Sequence, residues 1–193
     1  PEFRAVWASY NHSSGPYVDG WDKMAIDLAQ NRFNAVMPYM ATGGVAHYNS
    51  QFLPHSDIYN QRGDHIAACV KACKPRGIET HVRKLSWFLY FAPQSFIDDM
   101  RNQKRTQVDV NGNPVDWLCP SHPLNYELEI NVMLEIIDNY DVDGIHYDYI
   151  RYPDETCCYC EGCLERFQKD TGNTVVNWPL DCYSGPLKEA YRE

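Results

Sequence analysis

The sequence predicts an α/β fold in which strands alternate with helices along the chain. Its apolar residues switch repeatedly between a spacing near two, typical of strands, and a spacing near 3.6, typical of helices. Helix boundary signals separate the two patterns, for example Asp64 before one helical segment and Gly77 after it. Neither a G-x-G-x-x-G nor a G-x-x-x-x-G-K-[ST] motif is present, which argues against a nucleotide-binding open sheet. Together these observations predict parallel strands joined by right-handed helical crossovers.

The predicted elements follow one another without a break in composition. The strand pattern occupies residues 3–9, 33–40, 78–83 and 144–148. Helical stripes lie between them, in residues 21–32, 65–77 and 123–140. A long segment, residues 84–122, follows the third strand and contains a hairpin signal at Asn111-Gly112. Because long connections in compact domains are usually functional, this segment is expected to contribute to the site.

Two architectures contain this alternation: an open doubly wound sheet and a (β/α)8 barrel, the TIM-barrel fold. The missing nucleotide motifs favour the barrel. A complete barrel normally needs ~250 residues, whereas this chain has 193 residues. We therefore expect residues 1–193 to be the N-terminal part of one barrel domain, truncated after about the first half, strands one to four. Such a half sheet has unpaired edges, so the isolated piece is expected to associate or to be incomplete.

Composition and charge limit the classes of partner. The chain has 17 basic and 26 acidic residues, a net charge of −9 and no dense basic block, which argues against nucleic acid. No run of about 18 apolar residues is present, so no membrane span is predicted. Aromatic residues make up 13% of the chain. Aromatic rings beside acidic groups favour a flat, hydroxyl-rich ligand such as a polysaccharide or oligosaccharide, whereas the oligomeric state is open.

The segment DVDGIHYDYIRYP, residues 141–153, concentrates charged groups around the fourth strand. In a parallel barrel the functional groups lie at the C-terminal ends of the strands, and the N-terminal ends serve stability. Asp148, at the C-terminal end, is therefore the predicted catalytic residue, and His146 shares its face of the strand. The alternative for Asp148 is an ordinary salt bridge with an arginine such as Arg151.

The other acidic residues receive lesser roles. Asp143, beside Gly144, is predicted to form a structural turn at the N-terminal end of the fourth strand, and Asp141 to be solvated or to act as a cap. A set of loop acids near predicted strand ends provides weak candidates for a second catalytic carboxyl group: Asp57, Asp98, Asp99, Asp109 and Asp116.

Nearly the whole chain resembles the glycosyl-hydrolase-like family 10 proteins, which are related to the α-amylase-type barrels. The resemblance rests on FRAVWAS, FNAVMPYM, GVAHYNS, RGIETHV, WLCPSHP and, most densely, YDVDGIHYDYIRYP. It implies a TIM barrel that hydrolyses O-glycosidic bonds in a polysaccharide, for some bacterial relatives a cell-wall glycan. It also implies a location outside the cytoplasm, in the periplasm, at the cell surface or secreted, although the chain starts without a signal-peptide pattern.

The resemblance also assigns chemistry to the fourth strand. In the α-amylase-type enzymes the matching strand end carries the nucleophilic aspartate, often with an arginine two residues earlier. This implies that Asp148 is the nucleophile, with His146 in the place of that arginine. Those enzymes take their general acid from the end of the fifth strand, which is expected beyond Glu193. Because glycoside hydrolysis commonly needs two carboxyl groups, this piece alone is expected to be inactive.

A set of polar and aromatic residues is predicted to contact the substrate or to orient Asp148. His81, near the end of the third strand, resembles a histidine that family members carry there, and it shares a face with Arg83. Aromatic rings after the second strand and in the long segment offer flat faces to pyranose rings. The predicted substrate-binding residues are His81, His146, Arg151, Tyr39, Tyr48, Trp87 and Trp117. For each of them the alternative is ordinary packing or backbone hydrogen bonding.

The segment CCYCEGC, directly after the predicted catalytic strand, contains Cys157, Cys158, Cys160 and Cys163. Its C-x-x-C spacing predicts a cross-link, with Cys157, Cys160 and Cys163 as metal ligands or disulfide partners. Remote contributors to the same site are Cys119, His122 and Cys182. The spacing leaves structural zinc and disulfides both open, and the predicted catalysis itself needs no cofactor.

Two functions from different classes agree with these patterns. The preferred one is a glycoside hydrolase, retaining if the amylase analogy holds. The alternative is a non-catalytic carbohydrate-binding or scaffold protein that keeps the barrel but lacks a competent pair of acids, because fold alone does not determine function. A glutamate at the end of a fifth strand would favour the enzyme.

Overall fold

The computed structural model describes residues 2–8 and 20–192. Its strands are β1 (Ala5–Ala8), β2 (Ala35–Thr42), β3 (Val45–Ala46), β4 (Glu79–Leu85), β5 (Thr106–Val108), β6 (Pro114–Leu118) and β7 (Gly144–Asp148). Its helices are α1 (Trp21–Gln30), α2 (Asp57–Arg62), α3 (His65–Cys73), α4 (Gln94–Asn102), α5 (Pro123–Asn139), α6 (Glu161–Thr171), α7 (Leu180–Tyr183) and α8 (Lys188–Arg192). The predicted α/β alternation is confirmed. Ser9, the last residue of the first predicted strand, lies outside the described residues.

The order of the strands identifies the architecture. β1, β2, β4 and β7 lie side by side in chain order, and each pairs in parallel with the strand before it. A doubly wound sheet would reverse its order at a switch point, whereas a barrel adds each new strand beside the last one. The sheet therefore has the arrangement of strands one to four of a TIM barrel, as predicted. β3 pairs antiparallel with the end of β2, and β5 and β6 form a separate hairpin.

Helices α1, α3 and α5 cover one face of this sheet, because each of them presents an apolar stripe. Ile66 of α3 and Ile136 of α5 are fully buried in the same core as Val36 of β2 and Val82 of β4. Burying such side chains contributes about 1.5–3 kcal/mol each to folding. None of the helices in the described ranges is long and apolar enough to cross a bilayer.

β4 is longer than the sequence predicts. It continues through Lys84 to Leu85, where the sequence pattern indicates the start of the long segment. The side chain of Lys84 is only 3% exposed, because its ammonium group lies 2.6 Å from a carboxylate oxygen of Glu129 on α5. It also donates to the backbone carbonyl of Leu85, at 3.1 Å. A lysine normally indicates an exposed position, and the partner that permits its burial is distant in sequence.

The long segment between β4 and α5 is mostly structured. It contains α4 and the β5–β6 hairpin, whose turn lies at the predicted Asn111-Gly112 position. Gly112 has φ +85°, a conformation that favours glycine. The Asp109 carboxylate accepts the backbone N–H groups of Asn111 and Asn113, both at 2.8 Å. The hairpin prediction is confirmed, and Asp109 serves this turn.

The N-terminal end of β7 is fastened to β4 by Asp143. Its carboxylate accepts the Thr80 N–H at 2.7 Å, and its own N–H donates to the Thr80 carbonyl at 2.9 Å. This geometry agrees with the predicted structural role of Asp143. Asp141 is exposed, as predicted, and pairs with Lys74 on the surface.

We expect Gly144→Ala to lower the free energy of unfolding by about 1–3 kcal/mol, because overpacking forces neighbours to move. A Cβ atom at this position would lie 2.5 Å from Nδ1 of His81 on β4. Urea unfolding measures the loss. His81→Ala in the same background should restore most of it, because the two positions are in direct contact. Equal losses in the single and double variants would contradict this explanation.

Candidate active site

The inner face of the sheet, opposite the helices, carries aromatic and charged side chains. Alternate residues of a strand point to opposite faces, so the neighbours of the buried apolar positions point inward. Tyr39 of β2 is the register partner of Arg83 on β4, and Arg83 is the register partner of His146 on β7. Trp7 of β1 contacts both Arg83 and His146. Asp148 ends β7 beside this group.

Asp148 is held by donors on both of its carboxylate oxygens. Arg83 donates to Oδ2 through Nε at 2.7 Å and also through Nη2, and the Tyr149 N–H donates to Oδ1 at 2.8 Å. The side chains of Asp148 and Arg83 are 22% and 18% exposed, so this ion pair is largely shielded from water but still accessible to a ligand. An arginine salt bridge is therefore present, although the partner is Arg83 and not the predicted Arg151. Arg151 lies over the Tyr149 ring, with its guanidinium carbon 4.8 Å from the ring centre.

The Arg83 guanidinium lies against two aromatic rings. Its central carbon is 4.6 Å from the ring centre of Trp7 and 4.8 Å from that of Tyr39. Such contacts stabilise a cation by about 0.5–2 kcal/mol and restrict its rotamers. Burial raises the pKa of Tyr39 above its usual value, although the nearby Thr42 side chain and the charge of Arg83 oppose this. Tyr39 therefore keeps its hydroxyl proton at neutral pH and can act as a hydrogen-bond donor.

The arginine of this site comes from a neighbouring strand. In the α-amylase-type pattern an arginine stands two residues before the aspartate, where this chain has His146. Arg83 is the register partner of His146, so the two residues lie at the same level of the sheet. The Arg83 guanidinium group reaches Asp148 from that level. The guanidinium group beside Asp148 thus comes from the neighbouring strand β4.

His81 lies lower in the sheet than the sequence predicts. It pairs in register with Gly144, whereas Leu85 pairs with Asp148, so four residues separate the two levels. This is about 13 Å at the rise of a strand. The predicted position near the end of the strand is wrong because β4 continues to Leu85. His81 instead contacts a carboxylate oxygen of Glu79, 2.9 Å from its Nε2.

Three of the predicted substrate-binding aromatic residues are held in packed positions. Tyr48 is completely buried, and its hydroxyl donates to Glu135 on α5 at 3.2 Å. Trp117 is 8% exposed and stacks on Tyr149, with ring centres 5.7 Å apart. Trp87 packs partly buried against the apolar cluster of the long segment. The structure does not bring Tyr48 to Asp148, and it holds Trp117 in aromatic packing and Trp87 against an apolar cluster.

A cleft of 460 Å³ opens beside Tyr39. Its walls include His55, Asp57 and Phe91, from the loops that follow β2 and β4. Pockets for small ligands commonly have ~300–1,000 Å³ and combine apolar walls with a few polar groups. Tyr39 thus contacts Arg83 and also lines this cleft, whose wall includes Asp57, one of the weak carboxyl candidates.

The described strands place one carboxylate at the C-terminal end of the sheet. Within the described parts of β1, β2, β4 and β7, the only other acidic residue is Glu79, at the opposite end of β4. Asp116, another weak candidate, pairs with Arg101 at 2.6 Å. A second catalytic carboxyl group beside Asp148 is thus not supplied by these strands.

Trp7 and Arg83 belong to this candidate site, and the sequence predicted neither of them. Trp7 is 61% exposed although it lies within a strand. The sequence feature that points to Trp7 is the alternation of the strand, since its neighbours Val6 and Ala8 pack in the core on the helix side of the sheet. The signal for Arg83 is that it shares a strand face with His81 and stands closer to the C-terminal end.

A second cluster of reactive groups lies in the loop that follows β7. The Sγ atoms of Cys119, Cys158, Cys160 and Cys163 all lie within 4.8 Å of one another, and all four residues are buried. Two of the three predicted ligands, Cys160 and Cys163, belong to this cluster. Cys157 does not, and Cys158 and Cys119 stand in its place. The four thiol groups have the number and proximity that a single tetrahedral metal ion requires.

Solved structures with a similar fold include glycosidases. An α-L-fucosidase, isoenzyme 2, from Paenibacillus thiaminolyticus is 19% identical, with a TM-score of 0.62 over 89% of this chain and 26% of that one. An exo-β-N-acetylglucosaminidase from Vibrio harveyi is 12% identical, with a TM-score of 0.58 over 90% of this chain and 31% of that one. A hypothetical protein from Ruminiclostridium thermocellum is 17% identical, with a TM-score of 0.57 over 86% of this chain and 87% of that one. At these identities the likeness shows the fold alone.

Sequence comparison adds a relative and a family. An S-layer-related protein from Niallia circulans is 27% identical over 84 residues, which is 42% of this chain and 5% of that protein. The chain thus spans a small part of this relative and about a quarter of the fucosidase. The profile of the glycosyl hydrolase-like 10 family matches residues 2–184. Because this match covers almost the whole chain, the protein belongs to the glycosyl hydrolase-like 10 family.

Proposed function

We propose that this protein is a glycoside hydrolase that cleaves O-glycosidic bonds in a polysaccharide, with Asp148 as its catalytic carboxylate. The observation that carries the proposal is the placement of Asp148. It stands at the C-terminal end of β7, on the inner face, with Arg83 and the Tyr149 N–H fixing its two oxygens. Functional groups of parallel barrels lie at this end of the strands.

The Asp148 carboxylate, fixed by these hydrogen-bond donors, is suited to attack a sugar. A carboxylate can add to the anomeric carbon to form a glycosyl-enzyme, or it can activate a water molecule for direct displacement. Retaining enzymes have their two carboxyl groups about 5–5.5 Å apart, and inverting enzymes about 6.5–9.5 Å apart. The proposal therefore requires a second carboxyl group near Asp148, supplied from outside the four parallel strands. By analogy with the amylase-type barrels, we assign it to the end of a fifth strand and the mechanism to the retaining class.

The surroundings of Asp148 suit a carbohydrate ligand. Trp7 presents an exposed ring, and Tyr39 joins the aspartate site to the cleft. Flat aromatic faces pack against the C–H faces of pyranose rings, while His146 and the Tyr39 hydroxyl are placed to bind sugar hydroxyl groups. Two of the similar solved proteins are named as glycosidases, which supports a saccharide substrate. The relative named as S-layer-related supports a location outside the cytoplasm.

A glycan panel tests the proposal. Full-length protein is incubated with defined polysaccharides, including a cell-wall glycan, and new reducing ends are quantified by chromatography. Release from at least one substrate, lost in Asp148→Asn, is the expected result. Binding of a glycan by calorimetry without any release would favour the alternative, a non-catalytic carbohydrate-binding protein, and would contradict the proposal.

We expect Arg83→Lys to reduce kcat/KM by about 10–100-fold, the equivalent of a lost charge-assisted hydrogen bond. Lysine keeps the charge but lacks the planar group that donates twice to Asp148 and packs between Trp7 and Tyr39. Initial rates on the best substrate of the panel measure the effect. Arg151→Lys is the matched control, because Arg151 is exposed and lies over Tyr149. Similar losses in both variants would contradict a specific role for Arg83.

A further inference from the structure

We infer that Cys119, Cys158, Cys160 and Cys163 bind one zinc ion, and that this ion fastens the loop after β7 to the β5–β6 hairpin. Three of the sulfur atoms form a nearly equilateral triangle: Cys119 to Cys163 is 3.5 Å, Cys119 to Cys160 is 3.8 Å and Cys160 to Cys163 is 3.4 Å. The Sγ of Cys158 lies within 4.8 Å of all three, as the fourth corner. Tetrahedral thiolates at the usual Zn–S length of about 2.3 Å are about 3.8 Å apart.

The ligand set follows from the local backbone. The loop after β7 lies beside β5 here, with an isolated bridge from Cys157 to Asp109 and a hydrogen bond from the Tyr159 N–H to the Val108 carbonyl. Alternate residues of an extended chain point to opposite sides. Cys158 and Cys160 therefore share one side, while Tyr159 packs into a separate apolar cluster on the other. Cys157 packs against the cluster, but it is not one of the four cysteines whose sulfur atoms converge, so the C-x-x-C pair of Cys157 and Cys160 does not form half of the site.

Three separate segments meet at the cluster. Cys119 directly follows β6, Cys158 and Cys160 end the loop after β7, and Cys163 lies in the first turn of α6. Cys160 occupies the N-cap position of α6 but makes no side-chain capping hydrogen bond, so its sulfur is directed to the cluster. The partial positive charge at the start of a helix favours thiolates there.

Polar and charged side chains around the four cysteines are positioned to stabilise anionic sulfur. The Ser121 hydroxyl lies 3.2 Å from the Cys119 sulfur and 3.4 Å from the Cys163 sulfur. Arg166 of α6 places its Nη2 3.8 Å from the Cys119 sulfur and 2.9 Å from the Ser121 oxygen. Four thiolates around a divalent ion carry a net charge of about −2, which a nearby arginine and hydroxyl donors offset. Ordinary buried thiols need no such cation.

The sulfur arrangement favours one tetrahedral metal ion over disulfides or a multi-iron cluster, and zinc is the ion that we infer. Two disulfides require only close pairs, with bonded sulfurs about 2.05 Å apart, and give no reason for three equidistant sulfurs. Iron–sulfur clusters place their ligands around several iron atoms and therefore farther apart. Buried thiolates without carboxylate or water ligands select soft ions such as zinc, and a closed four-ligand set is typical of a structural role. Catalysis at Asp148 does not pass through this site.

The consequence for the enzyme is order in the loop that begins at Asp148 and Tyr149. This loop runs along β5, where the Val110 N–H donates to the Thr156 carbonyl and the Tyr159 N–H to the Val108 carbonyl. An ion at its far end would hold it against the hairpin. Removal of the ion is therefore expected to accelerate limited proteolysis between residues 149 and 160 more than elsewhere.

Metal analysis and thiol titration on the full-length protein test the inference. We expect one zinc at this site per chain after purification without added metal, and all eight cysteines of residues 1–193 titrating as thiols when the protein is unfolded without reductant. Cobalt substituted for zinc should give the intense visible absorption of tetrahedral thiolate coordination. Cys158→Ser should retain less than about a tenth of the metal, because metal affinity depends on the complete thiolate set. Cys157→Ser, the matched control one residue away, should retain all of it.

Several outcomes would overturn the inference. Absence of metal together with fewer than eight titratable thiols would show disulfides, and iron with visible absorption would show a different metal. Equal metal loss in Cys157→Ser and Cys158→Ser would refute the ligand set. If Cys158→Ser does not fold, the cobalt spectrum of the wild type and the metal content of Cys157→Ser still decide. Unchanged proteolysis after chelation would refute the fastening role.

Discussion

Asp148→Asn is expected to reduce turnover by at least ~10³-fold while the protein stays folded, as for the removal of catalytic nucleophiles in general. Asparagine keeps the size of the side chain and one acceptor oxygen, but it has no negative charge and does not attack an anomeric carbon. Arg83 and the Tyr149 N–H are the partners that remain. The measurement is turnover on the best substrate of the panel, with thermal unfolding of the same sample.

The matched control is Asp143→Asn, at the other end of the same strand. Asp143 accepts the Thr80 N–H in a partly buried position, so its change should cost about 1–3 kcal/mol of unfolding free energy. For a chain of this size that is a fall in Tm of ~2–4 °C per kcal/mol. Turnover of the folded fraction should stay near the wild-type value. We therefore expect Asp148→Asn to reduce turnover while the protein stays folded, and Asp143→Asn to reduce stability while turnover is kept.

A chemical rescue separates a nucleophile from a residue that only positions others. In Asp148→Gly, azide is expected to enter the space of the lost carboxylate and to attack the anomeric carbon as an activated aryl leaving group departs, yielding a glycosyl azide. A merely structural aspartate gives no such product. Near-normal hydrolysis by Asp148→Asn would show the assignment to be wrong, and the search would move to Asp57 in the cleft and to regions beyond the four strands.

The fold was predictable because its information is local. Alternation between strand and helix spacing, Asp64 before α3 and Gly77 after the following turn all lie within a few residues of the structure that they specify. The position of Asp148 at the end of β7 was predictable for the same reason, since the strand pattern of residues 144–148 ends there. The end of β4 was not, because Lys84 resembles a loop residue until Glu129 is brought beside it.

The partners within the sites depend on register, which the sequence does not display. Arg83 reaches Asp148 only because β4 and β7 pair with Arg83 opposite His146. Cys119 joins the sulfur cluster through the packing of the hairpin against the loop after β7. The sequence placed His81 too close to the C-terminal end of its strand, because β4 continues for two residues beyond its predicted end. Local pattern therefore identified single residues, and tertiary pairing determined which of them act together.

Lys84→Met is expected to destabilise the protein by about 3–5 kcal/mol, the largest stability effect that we predict. The change removes the cation of a buried ion pair and leaves Glu129 charged inside the protein. The side chains are 3% and 8% exposed, so water does not replace the lost partner. Glu129 keeps one longer hydrogen bond, from the Trp87 N–H at 3.3 Å. Urea unfolding followed by circular dichroism measures the loss of unfolding free energy.

The double variant Lys84→Met/Glu129→Leu should recover most of that loss, because an apolar pair of similar volume has neither charge to desolvate. Recovery would identify the unpaired Glu129 carboxylate as the cause of the stability loss. If lost packing were the cause, the loss would remain in both variants. Lys74→Met is the surface control, since its pair with Asp141 is 61% and 72% exposed and such pairs contribute under about 1 kcal/mol. A double variant as unstable as Lys84→Met would refute this account. It would mean that the ion pair, by fixing the end of β4 against α5, contributes stability that apolar packing cannot replace.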